Sequence, residues 1–292
     1  MANLKHQNTK TLTIRPNGRS ADFITPNFIY GCAGGCRSSY CYVMRYNPET
    51  IYINDNVDQI LNTIEHHAKS LVFPKPPNQT DPVYWTYDIG CSTDVVLHWK
   101  HYDWVKVFEF FKLHPKIKAT FATKYVNYKL LDFKPDGKIR IRFSLMPQTI
   151  SSILEPKTSL ILDRIHAIKE FAAAGYEVHL NFSPIVMYSG WINDYDALFA
   201  LLEEYIPDSY KANIQAECIF LTHNIWQHER NLEAGREASE AIIWQPKYQE
   251  VKQSQYGSEA LRYKLPLKAK AIKAWQACHD AIIPWNKIRY IF

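Results

Sequence analysis

Short apolar runs with the two-residue period of strands alternate about six times with stretches whose apolar residues recur at helical spacing. Val57, Ile60, Leu61 and Ile64 mark a helix from Val57 to Leu71, and Val83 to Tyr87 reads as a strand entering the turn Gly90-Cys91-Ser92-Thr93-Asp94. Trp104 to Phe111 reads as a helix, and Lys118 to Tyr125 and Lys138 to Leu145 as strands. Leu160 to Ala174 is a helix, Glu177 to Ile185 a strand, Tyr195 to Tyr205 a helix and Asn213 to Leu221 a strand. Lys268 to Ile282 then gives a last helix and Lys287 to Phe292 a closing strand. Such alternation implies parallel strands joined by crossover helices, in an α/β partial (β/α)6 TIM-like barrel. Ligands of such folds gather at the C-terminal ends of the strands. The loop after Phe28-Ile29-Tyr30, which reads as the end of a buried strand, the turn Gly90 to Asp94, Thr123-Lys124-Tyr125, Phe143-Ser144-Leu145 and Ser183-Pro184 all fall there. The expected division is an N-terminal arm with one short strand (1–24), the barrel (25–225) and a C-terminal segment that completes it (226–292).

The 292 residues suffice for one large domain, and a hydrophobic share of 47% supplies its core. Residues 1–17 are polar and basic, unlike a signal peptide, and no apolar run approaches the roughly 18–20 residues of a membrane span. A reducing cytoplasmic setting, with thiols free or metal-bound, is therefore expected for the six cysteines, and no membrane partner. The net charge of +5 is mild, but from Pro246 to Phe292 nine Lys/Arg face three acids. That excess suits a polyanion, or else a solvated helix face. Arg262, Tyr263, Lys264 and Tyr256 are the candidates there for holding phosphates.

Cys32, Cys36 and Cys41 lie in one Gly-rich loop, Gly31-Cys32-Ala33-Gly34-Gly35-Cys36-Arg37-Ser38-Ser39-Tyr40-Cys41-Tyr42, after the apolar run Phe28-Ile29-Tyr30. Three thiolates on one loop can hold three corners of an iron–sulfur cube and leave the fourth iron open to a small molecule. The alternative is a zinc knuckle, although no second Cys-x-x-Cys pair is present and His66, His67 and His101 are isolated candidates.

The loop resembles the cluster loop of radical S-adenosylmethionine (SAM, AdoMet) enzymes, with Tyr40 as the aromatic residue before the last Cys. Nearly everything after residue 25 resembles the spore photoproduct lyase family. The matching segments are Tyr40-Cys41-Tyr42, Ile89 to Val96, Phe121-Ala122-Thr123-Lys124-Tyr125, Arg140 to Ser144, Glu155 to Ser159, Ala174-Gly175-Tyr176, Ser183-Pro184-Ile185 with Gly190-Trp191, and Ile288 to Phe292. The family spaces its cysteines by three and then two residues, and here the gaps are three and four. Gln255-Tyr256-Gly257 stands where the family tends to have Arg-Tyr-Gly, and most of the family's N-terminal extension is missing.

The resemblance implies a [4Fe-4S] cluster on Cys32, Cys36 and Cys41, with AdoMet on the open iron. It implies that the 5′-deoxyadenosyl radical takes hydrogen from a methylene-bridged thymine dimer in DNA, so that the bridge breaks. Cys91 falls on the family's hydrogen-donor position, and Tyr42 on that of a relay. Tyr40 corresponds to a contact with adenine, and Thr93, Lys124 and Ser144 to residues that help hold AdoMet. Asp94 either joins them or caps a helix N-terminus. Cys218 reads as core. An electron donor such as a flavodoxin or ferredoxin is required, and a monomer is expected. Two alternatives stand beside this reading: a radical SAM enzyme of the same family with another substrate, and a non-catalytic zinc or nucleic-acid-binding protein.

Overall fold

The computed structural model describes residues 3–34, 40–41, 50–253 and 259–292. Its centre is an eight-stranded sheet whose strands we number β1 (Arg15–Pro16), β2 (Phe23–Ile24), β3 (Trp85–Asp88), β4 (Ile117–Thr123), β5 (Ile139–Ser144), β6 (Glu177–Ile185), β7 (Gln215–Phe220) and β8 (Lys287–Ile291). They lie side by side in chain order. Every neighbouring pair is parallel except β1 and β2. The sheet curls into a half-barrel, the fold class expected from the alternation.

The two-residue period of each strand sorts its side chains onto two faces. Ala119 and Phe121 of β4, Ile139, Ile141 and Phe143 of β5, and Val178, Leu180 and Phe182 of β6 are buried. Phe121 stacks on Phe108 of the helix Trp104–Leu113 with ring centroids 5.9 Å apart, and Phe143 meets Phe171 of the helix Ile161–Ala173 edge-on at 5.4 Å. These residues form the apolar layer between sheet and helices. The alternate positions carry Lys118, Thr120, Arg140, Arg142, Glu177, His179, Asn181 and Glu217, also buried or nearly so, and they bond to one another inside the curl. Parallel strands covered on both faces usually read as continuous apolar runs. Here the concave face is polar and ion-paired.

Two sequence expectations change. Residues 1–24 hold three short strands rather than one, and two of them, β1 and β2, join the main sheet. The strand before the cysteines, Ile29–Tyr30, is not a barrel strand. It pairs antiparallel with Thr50–Asn54, which pairs with Asn3–Gln7, in a separate three-stranded sheet. Gly31 turns the chain out of that strand at φ +100°, where a Cβ would lie 3.0 Å from the Thr50 carbonyl oxygen.

Residues 222–263 form a cap: the strand Thr222–Asn224, the helices Ile225–Glu233 and Glu237–Ile243, and the strands Gln249–Gln253 and Glu259–Tyr263. Glu259–Tyr263 lies between the other two strands, antiparallel to both. The helix Leu265–Ile282 then leads to β8, which closes the sheet edge against β7. No helix among the described residues is long and apolar enough to cross a membrane.

Candidate active site

At the C-terminal end of β3 the chain makes the tight turn Ile89 to Thr93. Gly90 allows it, because a Cβ there would sit 2.8 Å from Phe121 Cβ. The Gly90 N–H donates to Asp88 Oδ1 at 2.9 Å, which holds the turn to its strand. The cysteine loop docks on this turn by its backbone. The Gly31 N–H donates to the Ser92 carbonyl at 3.0 Å, and Thr93 Oγ1 donates to the Gly31 carbonyl at 2.9 Å. Two residues on, the Ala33 N–H donates to His98 Nε2 at 3.3 Å. The loop therefore reaches the strand C-termini although its own strand lies outside the main sheet.

Cys32 is buried, and its Sγ accepts from the backbone N–H of Gly34, at 3.3 Å, and of Asp94. Burial, then the nearby Asp94 and Cys41, push the free thiol up to about 12. A thiolate in that position needs a cation beside it, and metal coordination deprotonates a thiol outright. Cys41 is half-buried and close enough for its charge to act on Cys32. The donor set thus fits a thiolate-bound metal: a buried sulfur with two N–H donors and a second sulfur nearby. Cys36 and Tyr42 lie outside the described residues.

Tyr40 lies between the loop and the barrel rim. Its hydroxyl donates to Glu155 Oε1, and Lys124 Nζ stands 5.8 Å from the centre of its ring. Glu155 is fully buried and pairs with the equally buried Arg164 at 3.0 Å, while Lys124 Nζ lies 3.9 Å from Glu155 Oε1. Arg164 also donates to the Ser144 carbonyl at 2.8 Å, and Asn181 Nδ2 donates to Ser144 Oγ at 3.1 Å. Tyr40, Lys124 and Ser144 are thereby joined through two residues, Glu155 and Arg164, to which sequence reasoning gave no role. The signal for Glu155 was its place in the segment Glu155 to Ser159.

No helix starts at Asp94; its carboxylate closes a turn over residues 94–98. Its carboxylate accepts from the N–H of Val96 and Leu97, both at 3.1 Å, from Thr123 Oγ1 at 2.9 Å and from the Lys124 N–H at 3.0 Å. Burial nevertheless leaves its affinity for protons above the ordinary carboxylate value. Thr93 uses its hydroxyl on the cysteine loop. Cys91, half-buried and in no disulfide, sits in the same turn, next to the Ser92 carbonyl that anchors the loop. Cys218 is fully buried core, as expected.

His98 was missed. It is buried, accepts from the loop through Nε2, and faces His101 at 3.2 Å between the two Nδ1 atoms. Burial first, then His101, lowers it to about 4, so it is a neutral acceptor at physiological pH.

The basic C-terminal residues divide. Arg289 points into the half-barrel, where it donates to Glu217 Oε2 at 3.0 Å. Tyr263 is buried, its hydroxyl accepting from the Met187 N–H at 2.9 Å, so burial excludes it from the phosphate-facing group. Arg262 pairs with Glu250 at 3.0 Å, and Lys264 donates to the Lys247 carbonyl at 2.9 Å. Gln255, Tyr256 and Gly257 lie outside the described residues.

A family model described as spore photoproduct lyase matches residues 6–292. The chain is 31% identical over 215 residues to a spore photoproduct lyase of Bacillus subtilis (strain 168), an alignment covering 72% of this chain and 59% of that protein. It is 31% identical over 193 residues to a spore photoproduct lyase of Geobacillus sp. (strain Y412MC61), covering 65% of this chain and 53% of the relative. The matched part is thus a little over half the length of these curated relatives. Among solved structures, a spore photoproduct lyase variant with bound AdoMet and dinucleoside spore photoproduct superposes with a TM-score of 0.86. That match has 21% sequence identity and covers 99% of this chain and 82% of the other. A spore photoproduct lyase complexed with dinucleoside spore photoproduct also gives 0.86, at 22% identity and the same coverage.

Proposed function

This chain belongs to the spore photoproduct lyase family, and on that premise we propose that it is a radical SAM lyase that cleaves the methylene bridge of a spore-photoproduct thymine dimer in DNA. The observation that carries the reading is the seat of Cys32: a buried sulfur with two backbone N–H donors, beside Cys41, held against the turn that carries Cys91. When bound, a [4Fe-4S] cluster with AdoMet on its open iron supplies a 5′-deoxyadenosyl radical able to take hydrogen from unactivated carbon. Cys32, Cys36 and Cys41 hold that cluster. A reducing, cytoplasmic setting keeps those thiols available, and an outside donor such as a flavodoxin or ferredoxin provides the electron.

The protein's own part is binding, orientation and exclusion of water. Lys124, half-buried at the end of β4, offers a cation to a carboxylate ligand, with Glu155 Oε1 3.9 Å away as its partner when that ligand is absent. Tyr40 is fixed by its hydrogen bond to Glu155, so its ring has one orientation for stacking on a planar base. Thr93 and Ser144 act through their hydroxyls, one tying the cysteine loop down and the other receiving Asn181 at the end of β5. Asp94 shapes the turn rather than touching a ligand. Cys91 returns a hydrogen atom to the thymine-derived radical, a task suited to a weak S–H bond at a pocket rim. Tyr42 would relay hydrogen between the 5′-deoxyadenosyl group and Cys91, so that a hydrogen atom of 5′-deoxyadenosine restores the thiol.

For the chain's organisation we propose an arm over 1–24, the catalytic half-barrel over 25–225, and a segment over 226–292 that contacts DNA and supplies the last strand. An intact lesion must be extruded from the duplex, at a cost of a few kcal/mol that its existing distortion reduces.

Anaerobic protein reconstituted with iron and sulfide, then given a reductant, AdoMet and dinucleoside spore photoproduct, should release both 5′-deoxyadenosine and the repaired thymine dinucleoside. Cys91→Ala should still consume the photoproduct but lose clean conversion to the repaired form. AdoMet cleavage without repair would move this chain to another substrate within the same chemistry. No cleavage at all would overturn the reading.

A further inference from the structure

A second cluster of metal-binding side chains lies in the cap, apart from the cysteines. His223 stands in the strand Thr222–Asn224, His228 in the helix Ile225–Glu233 and Glu240 in the helix Glu237–Ile243. One ligand atom of each lies within 4.8 Å of the other two. His223 Nε2 is 3.2 Å from both Glu240 oxygens, and His228 Nδ1 is 2.5 Å from Glu240 Oε2. Ligands about 2.0–2.1 Å from one tetrahedral ion lie roughly 3.3 Å from each other. The His223–Glu240 spacing therefore matches a shared ion, while the His228 ring must back away from Glu240 by less than one ångström and swing toward His223, whose ligand atom lies within 4.8 Å of its own.

The surroundings are those of a held ligand set. Asn231 Nδ2 donates to Glu240 Oε1, and Gln227 Nε2 donates to Asn231 Oδ1 at 2.8 Å, so a chain of amides orients the carboxylate. Trp244 stacks on His228 at 3.7 Å with the rings 5° from parallel, and meets His223 edge-on at 5.9 Å. His223 and Glu240 are buried, and His228 is nearly so. Gln227 Oε1 is buried without a hydrogen-bond partner, and a buried polar atom of that kind needs an explanation such as an ion or a bridging water.

We propose that His223, His228 and Glu240 bind one zinc-like divalent cation that braces the elements of the cap against one another. Two imidazoles and one carboxylate are a borderline donor set of the kind that takes zinc, with a fourth position for water or for Gln227 Oε1. The ion would join a strand of the cap sheet to both cap helices. The second of these helices packs on the helix Gln148–Leu154, with Ser239 Oγ 3.3 Å from the Ile153 carbonyl, two residues before Glu155. The brace thereby steadies the wall of the pocket that holds Tyr40.

The test must keep the cysteines from binding the same metal. In the full chain with Cys32, Cys36 and Cys41 replaced by Ala, dialysis against zinc followed by metal analysis should find one ion per chain. Cobalt substitution should give the visible bands of a nitrogen- and oxygen-ligated site without thiolate charge transfer. His228→Ala and Glu240→Gln should each weaken zinc binding at least tenfold while circular dichroism stays unchanged. Should both variants misfold, zinc-dependent stabilisation of the parent decides: its melting temperature should rise by several degrees with equimolar zinc. A folded cysteine-free chain that retains no zinc and melts at the same temperature with or without it would overturn the proposal. So would zinc held equally well by folded His228→Ala and Glu240→Gln variants.

Discussion

At the N-terminal ends of the strands, Asp81, Lys118, Arg140 and Glu177 form a closed set of ion pairs at 2.6–3.0 Å, with His179 on Glu177 at 3.0 Å. One layer up, Arg142 bridges Asp88 and Glu217, both at 2.6 Å, and Glu217 also receives Arg289 at 3.0 Å and the Tyr290 hydroxyl at 2.6 Å. At the C-terminal ends the polar groups are spaced more loosely: a buried sulfur pushed up to about 12, and a lysine 3.9 Å from its carboxylate. The floor spends its charges on one another and so fixes the curl of the sheet. At the rim, Tyr40 and Lys124 both face Glu155, which Arg164 also holds. Burial, which both regions share, does not separate structure from function here. The balance of donors and acceptors does.

The largest effect should come from Cys32→Ala, which sharpens the contrast from the rim side. AdoMet cleavage and iron retention should fall to background, while the urea midpoint moves little, because one buried sulfur leaves and no charge is stranded. The floor should respond in the opposite way. Glu217→Ala removes a carboxylate shared by Arg142 and Arg289, and stranding buried charges costs about 3–5 kcal/mol. Urea denaturation should read that loss, and activity per folded molecule should change far less. If Glu217→Ala were stable but inactive, the division between floor and rim would be wrong.

A pH titration of stability tests the joint between loop and barrel. The folded-state value of His98 is lowered to about 4, so the unfolded chain binds its proton first as pH falls. The associated stability is complete above about pH 6.5 and is lost as pH drops through about 4, amounting to up to about 3 kcal/mol. Replacing His98 with Gln should flatten that part of the profile. Gly90→Ala should cost about 1–3 kcal/mol, since a Cβ 2.8 Å from Phe121 Cβ must displace a packed strand. Its signature is a reduced iron content along with the lower melting temperature, because the same turn anchors Gly31.

Much of this fold could be read in the sequence. Strands β3 to β8 and the helices Trp104–Leu113, Ile161–Ala173, Trp191–Tyr205 and Leu265–Ile282 fall within a few residues of their expected places, because each carries a clear apolar period, whereas the helix Gln148–Leu154 and the elements of the cap were not foreseen. The N-terminal part could not be read in the same way. β1 and β2 have two residues each, too short for a period to show, and Ile29–Tyr30 looked like a barrel strand because apolar character does not say which sheet a strand joins. Cys32 came from the chemistry of three thiols on one loop, and Tyr40, Cys91, Lys124 and Ser144 from motif resemblance; the roles of their neighbours Glu155, Arg164 and His98 did not show, since they exist only through contacts between distant segments. One signal was present and went unused. Lys118-x-Thr120, Arg140-x-Arg142 and Glu177-x-His179-x-Asn181 repeat polar residues at strand period within apolar runs, which marks a polar concave face. The His223–His228–Glu240 trio comes from a strand and two helices, so no short spacing advertised it.

The account turns on a cluster held at the rim with one iron left open. Electron paramagnetic resonance of the reduced, anaerobically reconstituted protein, read beside its iron content, tests this most directly. The expected result is about four iron atoms per chain and a reduced-cluster signal that changes when AdoMet is added, since the cofactor binds the open iron. A colourless protein without iron, or a cluster signal indifferent to AdoMet, would contradict it.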